Sequence, residues 1–405
     1  MAPPLVGHIN PTVAVGLELK SRGHVVAWSG YKSVLTSVLP SACDVVWEGE
    51  DLEHALISRA QEESVGLRGA AALEFLWTHF LIPLARAMLP GVDSAVATFA
   101  PDVMVVDQQA LAGALVARSR RILWATSATT PAELVDPFAL LPKVGDWVQR
   151  QLADLTADST TNGSDLDESV GDQSDLDLRF SEHLILAFTT SQLTGPLTLP
   201  SGAGPVAMVG PSLVNADAGK RRDADRRYMD DGFPNEFLDY EDGRILITLG
   251  TVNALNGSRF FSAAIDALRG TPWRAILVAP RGVVGDVPSN VMVMEHVPQM
   301  AVLENVDAVV CHGGHNTVCE AVSKGLPLVV APIRDDQPIV AEQVVRAGAG
   351  IRVKFGRVSA GGLRTAIEAV MTDPSYRDAV KALQSSFDQA GGAHAAADHL
   401  ERLAS

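Results

Sequence analysis

Short aliphatic segments alternate with amphipathic segments along most of the chain, and this alternation is the strongest constraint on its fold. In the first half, an aliphatic run at 103–106 is followed by a helical pattern at 109–118 and by a second run at 121–126. Buried parallel strands read as continuous runs of Val, Ile and Leu, and strand–helix–strand repetition implies right-handed crossovers. The pattern predicts an α/β fold built on wound parallel sheets.

The same alternation begins again at residue 244, after a stretch at 195–243 that is rich in Gly, Pro and charged residues. The second half contains predicted strands at 244–249, 273–279, 291–295, 307–311, 327–331 and 350–353, and predicted helices at 258–268, from Asn316, from Pro338 and over 361–403. Because 405 residues suit two domains better than one, we predict two Rossmann-like domains whose parallel sheets face each other across a cleft. The predicted organisation is a first domain at 1–213, a linker at 214–243, a second domain at 244–385 and a C-terminal helix at 386–405 that packs toward the first domain.

The N-terminal residues depart from the pattern of a complete wound sheet, in which the first strand is usually central. The chain begins Met1-Ala2-Pro3-Pro4, and no apolar run precedes Gly7-His8. Asn10-Pro11 predicts a helix N-cap followed by proline at the first helical position. Loss of a central strand leaves its neighbours with unpaired backbone groups. We therefore expect a first strand that is missing or truncated, with the native start upstream of Met1.

The formal net charge of −16 excludes a nucleic-acid-binding surface, because such a surface needs a basic face. The basic run at 220–227 is interrupted by Asp223 and Asp225. We predict no nucleic-acid partner, and any anionic ligand must be held by local groups because the overall field repels it. The acidic, Ser-rich stretch at 157–177 has no periodicity and is predicted to be a mobile surface loop.

Cysteine usage and the lack of targeting signals favour the cytoplasm. The sequence has three cysteines, and this small, odd number argues against a disulfide framework. We find no signal peptide, and no unbroken apolar run is long enough to cross a bilayer, so no integral membrane segment is predicted.

The most informative segment is the strand–turn–helix sequence that begins at 308–311 and continues as His312-Gly313-Gly314-His315-Asn316-Thr317. Glycines permit positive φ and close backbone approach, and a helix N-terminus offers unpaired N–H groups and partial positive charge. This combination is a site for a diphosphate, with additional donors from His312, Asn316 and Thr317. Glu320 can accept hydrogen bonds from ribose hydroxyls, and Asp336 with Gln337 suits a neutral sugar. The alternative is a structural Gly-Gly turn with incidental histidines.

A second constellation is Gly7-His8, which lies just before the predicted helix start. Histidine titrates near neutral pH, so His8 can remove a proton from a hydroxyl. Asp107 ends a strand of the same sheet, and a carboxylate on the second imidazole nitrogen fixes the tautomer and stabilises the imidazolium. The alternatives are a capping or surface histidine and a structural aspartate.

The order His-Gly-Gly, Thr, Glu, Gly-x-Pro and Asp-Gln over 312–337 resembles the donor-site signature of the UDP-glycosyltransferase superfamily, glycosyltransferase family 1. The similarity covers essentially the whole chain and points to the bacterial branch that acts on natural products. It implies a GT-B fold in which the first domain binds the acceptor and the second binds a nucleotide sugar. By this resemblance His8 is the catalytic base and Asp107 its partner.

The resemblance also assigns roles to the donor-site residues. Gln299 contacts the nucleoside, His312 the diphosphate and Glu320 the ribose, while Asp336 and Gln337 hold the sugar. The implied donor-binding residues are Gly250, Thr251, His296, Val297, Gln299, His312, Gly313, Gly314, His315, Asn316, Thr317, Glu320, Asp336 and Gln337. Arg281 and Arg334 are further candidates for pairing with phosphate charge.

The implied activity is an inverting transfer of a sugar from UDP or dTDP to a hydroxyl of a small hydrophobic acceptor. The co-substrate is the nucleotide sugar, and no metal or other cofactor is expected, because no residue spacing matches a metal site. Apolar residues at 66–90 are expected to supply an acceptor wall, and the protein is expected to be a monomer or homodimer. The competing functions are a non-catalytic helper protein, a nucleotide-sugar epimerase and a transferase acting on lipid-linked acceptors.

Overall fold

The computed structural model describes residues 1–41, 43–49, 63, 67, 69–139, 141–161, 177–213, 235–240, 242–250, 257–280 and 282–405. These residues form two compact units. The first unit contains 1–190, 196–215 and 390–405, and the second contains 191–195 and 216–389. Most of the predicted linker at 214–243 and of the predicted acidic loop at 157–177 lies outside the described residues.

The first unit contains two parallel sheets. Strand β1 (Ala27–Tyr31) pairs with β2 (Asp44–Gly49), and a separate four-stranded sheet has the order β3-β4-β5-β6. The strands of the larger sheet are β3 (Val103–Asp107), β4 (Leu123–Ala128), β5 (Leu184–Ala187) and β6 (Val206–Met208). The helices are α1 (Val6–Ser21), α2 (Lys32–Val38), α3 (Ala70–Phe75), a π-helix (Leu76–Leu81), α4 (Ile82–Phe99), α5 (Leu111–Ser119), a 3₁₀ turn (Pro131–Leu134) and α6 (Pro142–Thr161).

The backbone of Met1 and Ala2 lies between the two sheets of the first unit. The Met1 ammonium donates to the Val105 carbonyl at 2.7 Å, and the Asp107 N–H donates to the Met1 carbonyl at 3.0 Å. The Ala2 N–H donates to the Ser29 carbonyl at 3.3 Å. Two residues thus connect β3 to β1, and within the described residues no strand precedes α1.

Helix α1 begins earlier than the sequence predicts. Leu5 is the N-cap, and the Leu5 carbonyl accepts hydrogen bonds from His8 N–H at 2.9 Å and Ile9 N–H at 3.2 Å. The predicted N-cap at Asn10 is therefore wrong, and Pro11 lies inside the helix. Burial of Ile9 and Val13 in the core outweighs the helix hydrogen bond that Pro11 cannot donate. As a consequence, His8 lies within the first turn of α1 rather than before it.

The second unit is a six-stranded parallel sheet with the order β12-β11-β10-β7-β8-β9. Its strands are β7 (Arg244–Thr248), β8 (Arg274–Val278), β9 (Val291–Met294), β10 (Ala308–Cys311), β11 (Leu328–Val330) and β12 (Gly350–Arg352). Its helices are α7 (Ser191–Thr194), α8 (Asn235–Leu238), α9 (Ser258–Leu268), α10 (Gln299–Leu303), α11 (His315–Ser323), α12 (Gln337–Arg346), α13 (Ala360–Thr372) and α14 (Pro374–Ala390). Alternate residues of β10 enter separate core clusters, because successive strand side chains face opposite sides of the sheet.

The C-terminal helix α15 (Gly392–Ala404) belongs to the first unit. Its Leu400 is buried in a cluster with Val15 of α1. Arg22 reaches from the end of α1 to Asp398 at 2.6 Å and to Glu401 at 2.8 Å. The return to the first unit begins at residue 390 rather than at the expected 386, because α14 continues to Ala390 with Phe387 buried in the second unit.

One continuous helical run, Ala71–Phe99, is long and apolar enough to cross a bilayer by length and composition. Half of its most apolar window is buried inside the protein, as in the core helix of a globular domain. The sequence prediction found no unbroken apolar run here because Glu74, Arg86 and Asp93 interrupt it.

A buried ion cluster centred on Arg179 ties the segment before β5 to the rest of the first unit. The Arg179 guanidinium donates to both Asp177 oxygens, at 2.9 Å and 2.6 Å, and also pairs with Glu133. Burial alone favours neutral Asp177, but hydrogen bonds and charge from Arg179 bring the pKa of that carboxyl below its usual value. The guanidinium also lies over the rings of Trp77, Phe138 and Phe180.

We expect Arg179→Ala to destabilise the first unit by about 3–5 kcal/mol, because it leaves buried carboxylates without their partner. Urea unfolding followed by tryptophan fluorescence measures the shift. Arg150→Ala, at an exposed position of α6, is the control and should change stability by less than about 0.5 kcal/mol. Equal shifts in the two variants would contradict a structural role for the cluster.

Candidate functional site

The turn between β10 and α11 has the geometry of an anion site. Gly314 is the N-cap of α11 and makes no side-chain cap, and Gly313 has φ of +87°. A Cβ at Gly313 would lie 2.8 Å from Val330 and 3.3 Å from the Gln337 carbonyl, so only glycine fits without a shift. A nine-residue helix thus begins here without a side-chain cap, the arrangement in which helix N-termini bind anions.

His312 is held between two glycines at this turn. A Cβ added to Gly250 would lie 2.8 Å from the His312 ring, and one added to Gly314 would lie 2.6 Å from its Nε2. Burial lowers the pKa of His312 to about 4, although the negative charge of Asp336 opposes this shift. His312 is therefore a neutral donor or acceptor at pH 7. Its Nδ1 is buried and has no hydrogen-bond partner in the described part of the chain.

Gln299, Thr317 and Glu320 form one cluster beside the turn. Gln299 Nε2 donates to the Glu320 carboxylate and lies 3.4 Å from the Thr317 hydroxyl oxygen. Gln299 is the first residue of α10, and the other two lie one turn apart on α11. The structure thus brings together the residues assigned to the nucleoside and the ribose.

Asp336 and Gln337 lie at the N-terminus of α12, with Asp336 as its N-cap. The side-chain oxygen of Gln337 accepts from the backbone N–H groups of Ile333 at 2.9 Å and Arg334 at 3.2 Å. This buried amide fixes the loop before α12. The charge of Asp336 acts on His312, which places the predicted sugar contact close to the predicted diphosphate contact.

The remaining donor-site predictions differ in outcome. His296 is exposed, but Val297 packs into the core, so only its backbone is available to a ligand. His315 is also buried, with its Nε2 3.4 Å from Cys319 Sγ on the next turn of α11. Its ring therefore serves packing within the helix rather than the open face of the turn. Thr251 and Arg281 lie outside the described residues. Arg334 pairs with Asp335 at 3.4 Å.

In the first unit, His8 and Asp107 are in contact as predicted from the resemblance. His8 Nδ1 lies 2.9 Å from Asp107 Oδ1, and the Asp107 side chain is fully buried while His8 keeps 16% of its side chain exposed. The Gln109 N–H donates to the same carboxylate oxygen at 2.9 Å. Burial lowers the pKa of the nearby Met1 amino group to about 6, and the charge of Asp107 opposes that shift.

Thr129 is a member of this cluster that the sequence analysis missed. Its hydroxyl lies 2.8 Å from His8 Nδ1 and donates to Asp107 Oδ2 at 2.8 Å. Thr129 directly follows β4, which pairs with β3 so that Ser127 lies opposite Asp107. Polar residues that follow neighbouring parallel strands meet at one edge of the sheet, and this rule could have identified Thr129.

Among the residues that the structure describes, no group of three or more His, Cys, Asp or Glu side chains could hold a metal ion.

The chain is similar to known proteins over nearly its whole length. The model of the family of UDP-glucoronosyl and UDP-glucosyl transferases matches residues 241–389. The chain is 26% identical to the NDP-glycosyltransferase YjiC of Bacillus subtilis (strain 168), over 98% of this chain and 95% of that protein. It is also 26% identical to the demethyllactenocin mycarosyltransferase of Streptomyces fradiae, over 99% of this chain and 85% of that protein.

Among solved structures, the glycosyltransferase of kitacinnamycin superimposes with a TM-score of 0.74 at 24% identity, covering 99% of this chain and 97% of that one. The predicted GT-B fold is thereby confirmed. The relatives of this chain over nearly its whole length are glycosyltransferases, and the protein is a nucleotide-sugar-dependent glycosyltransferase. Residues 241–389 carry the match to the UDP-glucoronosyl and UDP-glucosyl transferase family, and nearly the whole chain is similar to glycosyltransferases of the bacterial natural-product branch.

We expect Gly314→Ala to weaken binding of a nucleoside diphosphate about tenfold or more, or about 1.4 kcal/mol. The φ of −62° at Gly314 is ordinary for alanine, so the effect comes from the new Cβ that displaces the His312 ring. Isothermal titration calorimetry with UDP and dTDP measures the loss. Gly361→Ala is the matched control, because no atom lies within 4 Å of its added Cβ. Unchanged affinity in Gly314→Ala would contradict the assignment of this turn to the diphosphate.

Proposed function

We propose that this protein is an inverting, metal-independent glycosyltransferase that moves a sugar from a UDP- or dTDP-sugar to a hydroxyl of a small hydrophobic natural product. The observation that carries the proposal is the hydrogen bond between His8 Nδ1 and the buried Asp107 carboxylate. This bond leaves His8 Nε2 as the nitrogen that can accept a proton.

The second unit holds the donor in this proposal. The N–H groups from Gly313 to Thr317 bind the diphosphate, while Gln299 and Glu320 contact the nucleoside. Asp336 and Gln337 bind sugar hydroxyls. The name of the Bacillus relative, an NDP-glycosyltransferase, supports a nucleoside diphosphate donor without specifying its base.

The reaction is a single displacement at the anomeric carbon. His8 Nε2 takes the proton of the acceptor hydroxyl while the acceptor oxygen forms its bond to that carbon. The bond from the anomeric carbon to the diphosphate breaks, and its electron pair leaves with the phosphate oxygen. Asp107 stabilises the imidazolium. The amides at the start of α11 stabilise the charge that grows on the leaving group, so the proposed step uses no metal.

The acceptor is proposed to contact the first unit near the π-helix at Leu76–Leu81. Most of the predicted apolar wall is ordinary core, since Trp77, Leu81 and Leu84 are buried. Leu73 and Phe75 are only partly buried, and Phe75 stacks on His79 with ring centroids 5.0 Å apart. A π-helical turn of this kind is frequent at functional sites. These partly exposed side chains suit an apolar aglycone.

The function is tested with a panel of nucleotide sugars in a thermal-shift assay, followed by mass detection of products from macrolide, phenolic and lipid-linked acceptors. We expect stabilisation by a UDP- or dTDP-sugar and a hexose-sized mass increase on a macrolide or phenolic acceptor. Binding without product would favour a helper protein. Conversion of the donor sugar in the absence of an acceptor would favour an epimerase. Exclusive use of lipid-linked acceptors would favour a transferase acting on lipid-linked acceptors.

We expect His8→Ala to reduce turnover by about 10²- to 10⁴-fold, the range of general base catalysis, while donor affinity stays unchanged. His183→Ala is the control. His183 precedes β5 and lies at the amino ends of the parallel strands, whereas Asp107 lies at their carboxyl ends. Initial rates and calorimetric donor titrations on both variants give the comparison. Turnover at the wild-type level in His8→Ala would refute the base assignment.

We expect turnover in EDTA, without added divalent cations, to remain within about twofold of turnover in Mg²⁺, because amides rather than a cation stabilise the leaving group. Initial rates after dialysis against EDTA test this. A tenfold or greater increase in turnover on adding Mg²⁺ or Mn²⁺ to the dialysed enzyme would contradict metal independence.

A further inference from the structure

Thr129 occupies a central position in the hydrogen bonds around the proposed base. It is 4% exposed, and its own N–H donates to the Ser127 carbonyl at 3.1 Å. Its hydroxyl lies at 2.8 Å from both His8 Nδ1 and Asp107 Oδ2. His8 of α1, Asp107 of β3 and Thr129 at the end of β4 therefore each contact the other two.

Only one placement of the hydrogen atoms satisfies all the hydrogen bonds among His8, Asp107 and Thr129. If Nδ1 carries the imidazole proton, it donates to Asp107 Oδ1 and to the Thr129 oxygen, and the Thr129 hydroxyl donates to Asp107 Oδ2. If Nε2 carries the proton instead, the Nδ1 lone pair faces an ionised carboxylate oxygen at 2.9 Å. That contact is repulsive. The hydrogen bonds of Asp107 and Thr129 therefore favour the His8 tautomer with a proton on Nδ1, in which Nε2 is the base.

The hydroxyl also completes the solvation of a buried carboxylate. Asp107 Oδ1 accepts from Gln109 N–H and His8. In the described part of the chain, Thr129 is the sole donor to Oδ2. A buried carboxylate oxygen that loses its donor bears a large desolvation cost, and the carboxylate can rotate to seek another partner.

We propose that Thr129 is a positioning residue that locks the Asp107 carboxylate and the Nδ1–H tautomer of His8. The proposal rests on the proposed role of His8 as general base. Thr129 acts through His8 and Asp107, so its effect falls on the chemical step and not on the binding of either substrate.

Thr129→Val is the test, because valine keeps the shape of threonine and removes its hydroxyl. We expect kcat to fall about 10- to 100-fold, the effect of one hydrogen bond to a charged group, with KM for donor and acceptor unchanged. Thr129→Ser should recover activity to within a few-fold of wild type. The exposed Thr98→Val serves as the control for the substitution itself.

A double-mutant cycle with His8→Ala separates positioning from a structural effect. We expect Thr129→Val to cause no further loss of turnover in the His8→Ala background, because the group it positions is absent. An equal loss in both backgrounds, a change in KM alone, or full activity in Thr129→Val would overturn the proposal.

A measurement on the wild-type protein keeps the proposal testable even if Thr129→Val fails to fold. Long-range ¹H–¹⁵N NMR identifies the tautomer of His8 at a pH where it is neutral. The Nδ1–H form is expected, and the Nε2–H form would overturn the proposal. Absence of any transfer by the wild-type enzyme would instead refute the proposed function, so the two failures are distinguishable.

Discussion

Parallel strand pairing is the constraint on which both candidate sites depend. Parallel strands end at a common edge, so residues that follow neighbouring strands meet there. In the first unit, pairing of Asp107 with Ser127 sets the end of β3 beside the segment that carries Thr129. In the second unit, pairing of Thr248 with Cys311 sets Gly250 against His312. The register of the strand pairs, rather than proximity in sequence, therefore brings the candidate site residues of each unit together.

The same edge explains how a charged carboxylate is kept inside the first unit. Asp107 has no exposed side-chain surface, and an isolated charge in such a place is very unfavourable. Its oxygens accept from a backbone amide, a hydroxyl and an imidazole. These donors give both carboxylate oxygens hydrogen-bond partners and hold the geometry of the group. Orientation of His8 therefore follows from the solvation of its partner.

Sequence reasoning predicted the strands and helices of the second unit closely, because aliphatic runs and glycine turns are local signals. It misplaced the start of α1, because the Asn10-Pro11 signal is local and the burial of Ile9 is not. It missed Thr129, since a threonine after a strand belongs to no motif until the pairing of β3 with β4 is known. The burial of Val297 and His315 was equally hidden, because a motif fixes which residues are present but not which way they face.

Electrostatics limits how the second unit can bind an anion. The chain carries a net charge of −16, and a pKa of about 4 leaves His312 neutral at pH 7. The N-terminus of α11 is therefore one source of favourable potential at the turn that does not depend on the charge of His312. Asp336 adds negative charge near the same imidazole, which opposes a bare diphosphate. In the proposed donor site, sugar hydroxyls donate to this carboxylate, so Asp336 has a role there that a bare diphosphate does not use.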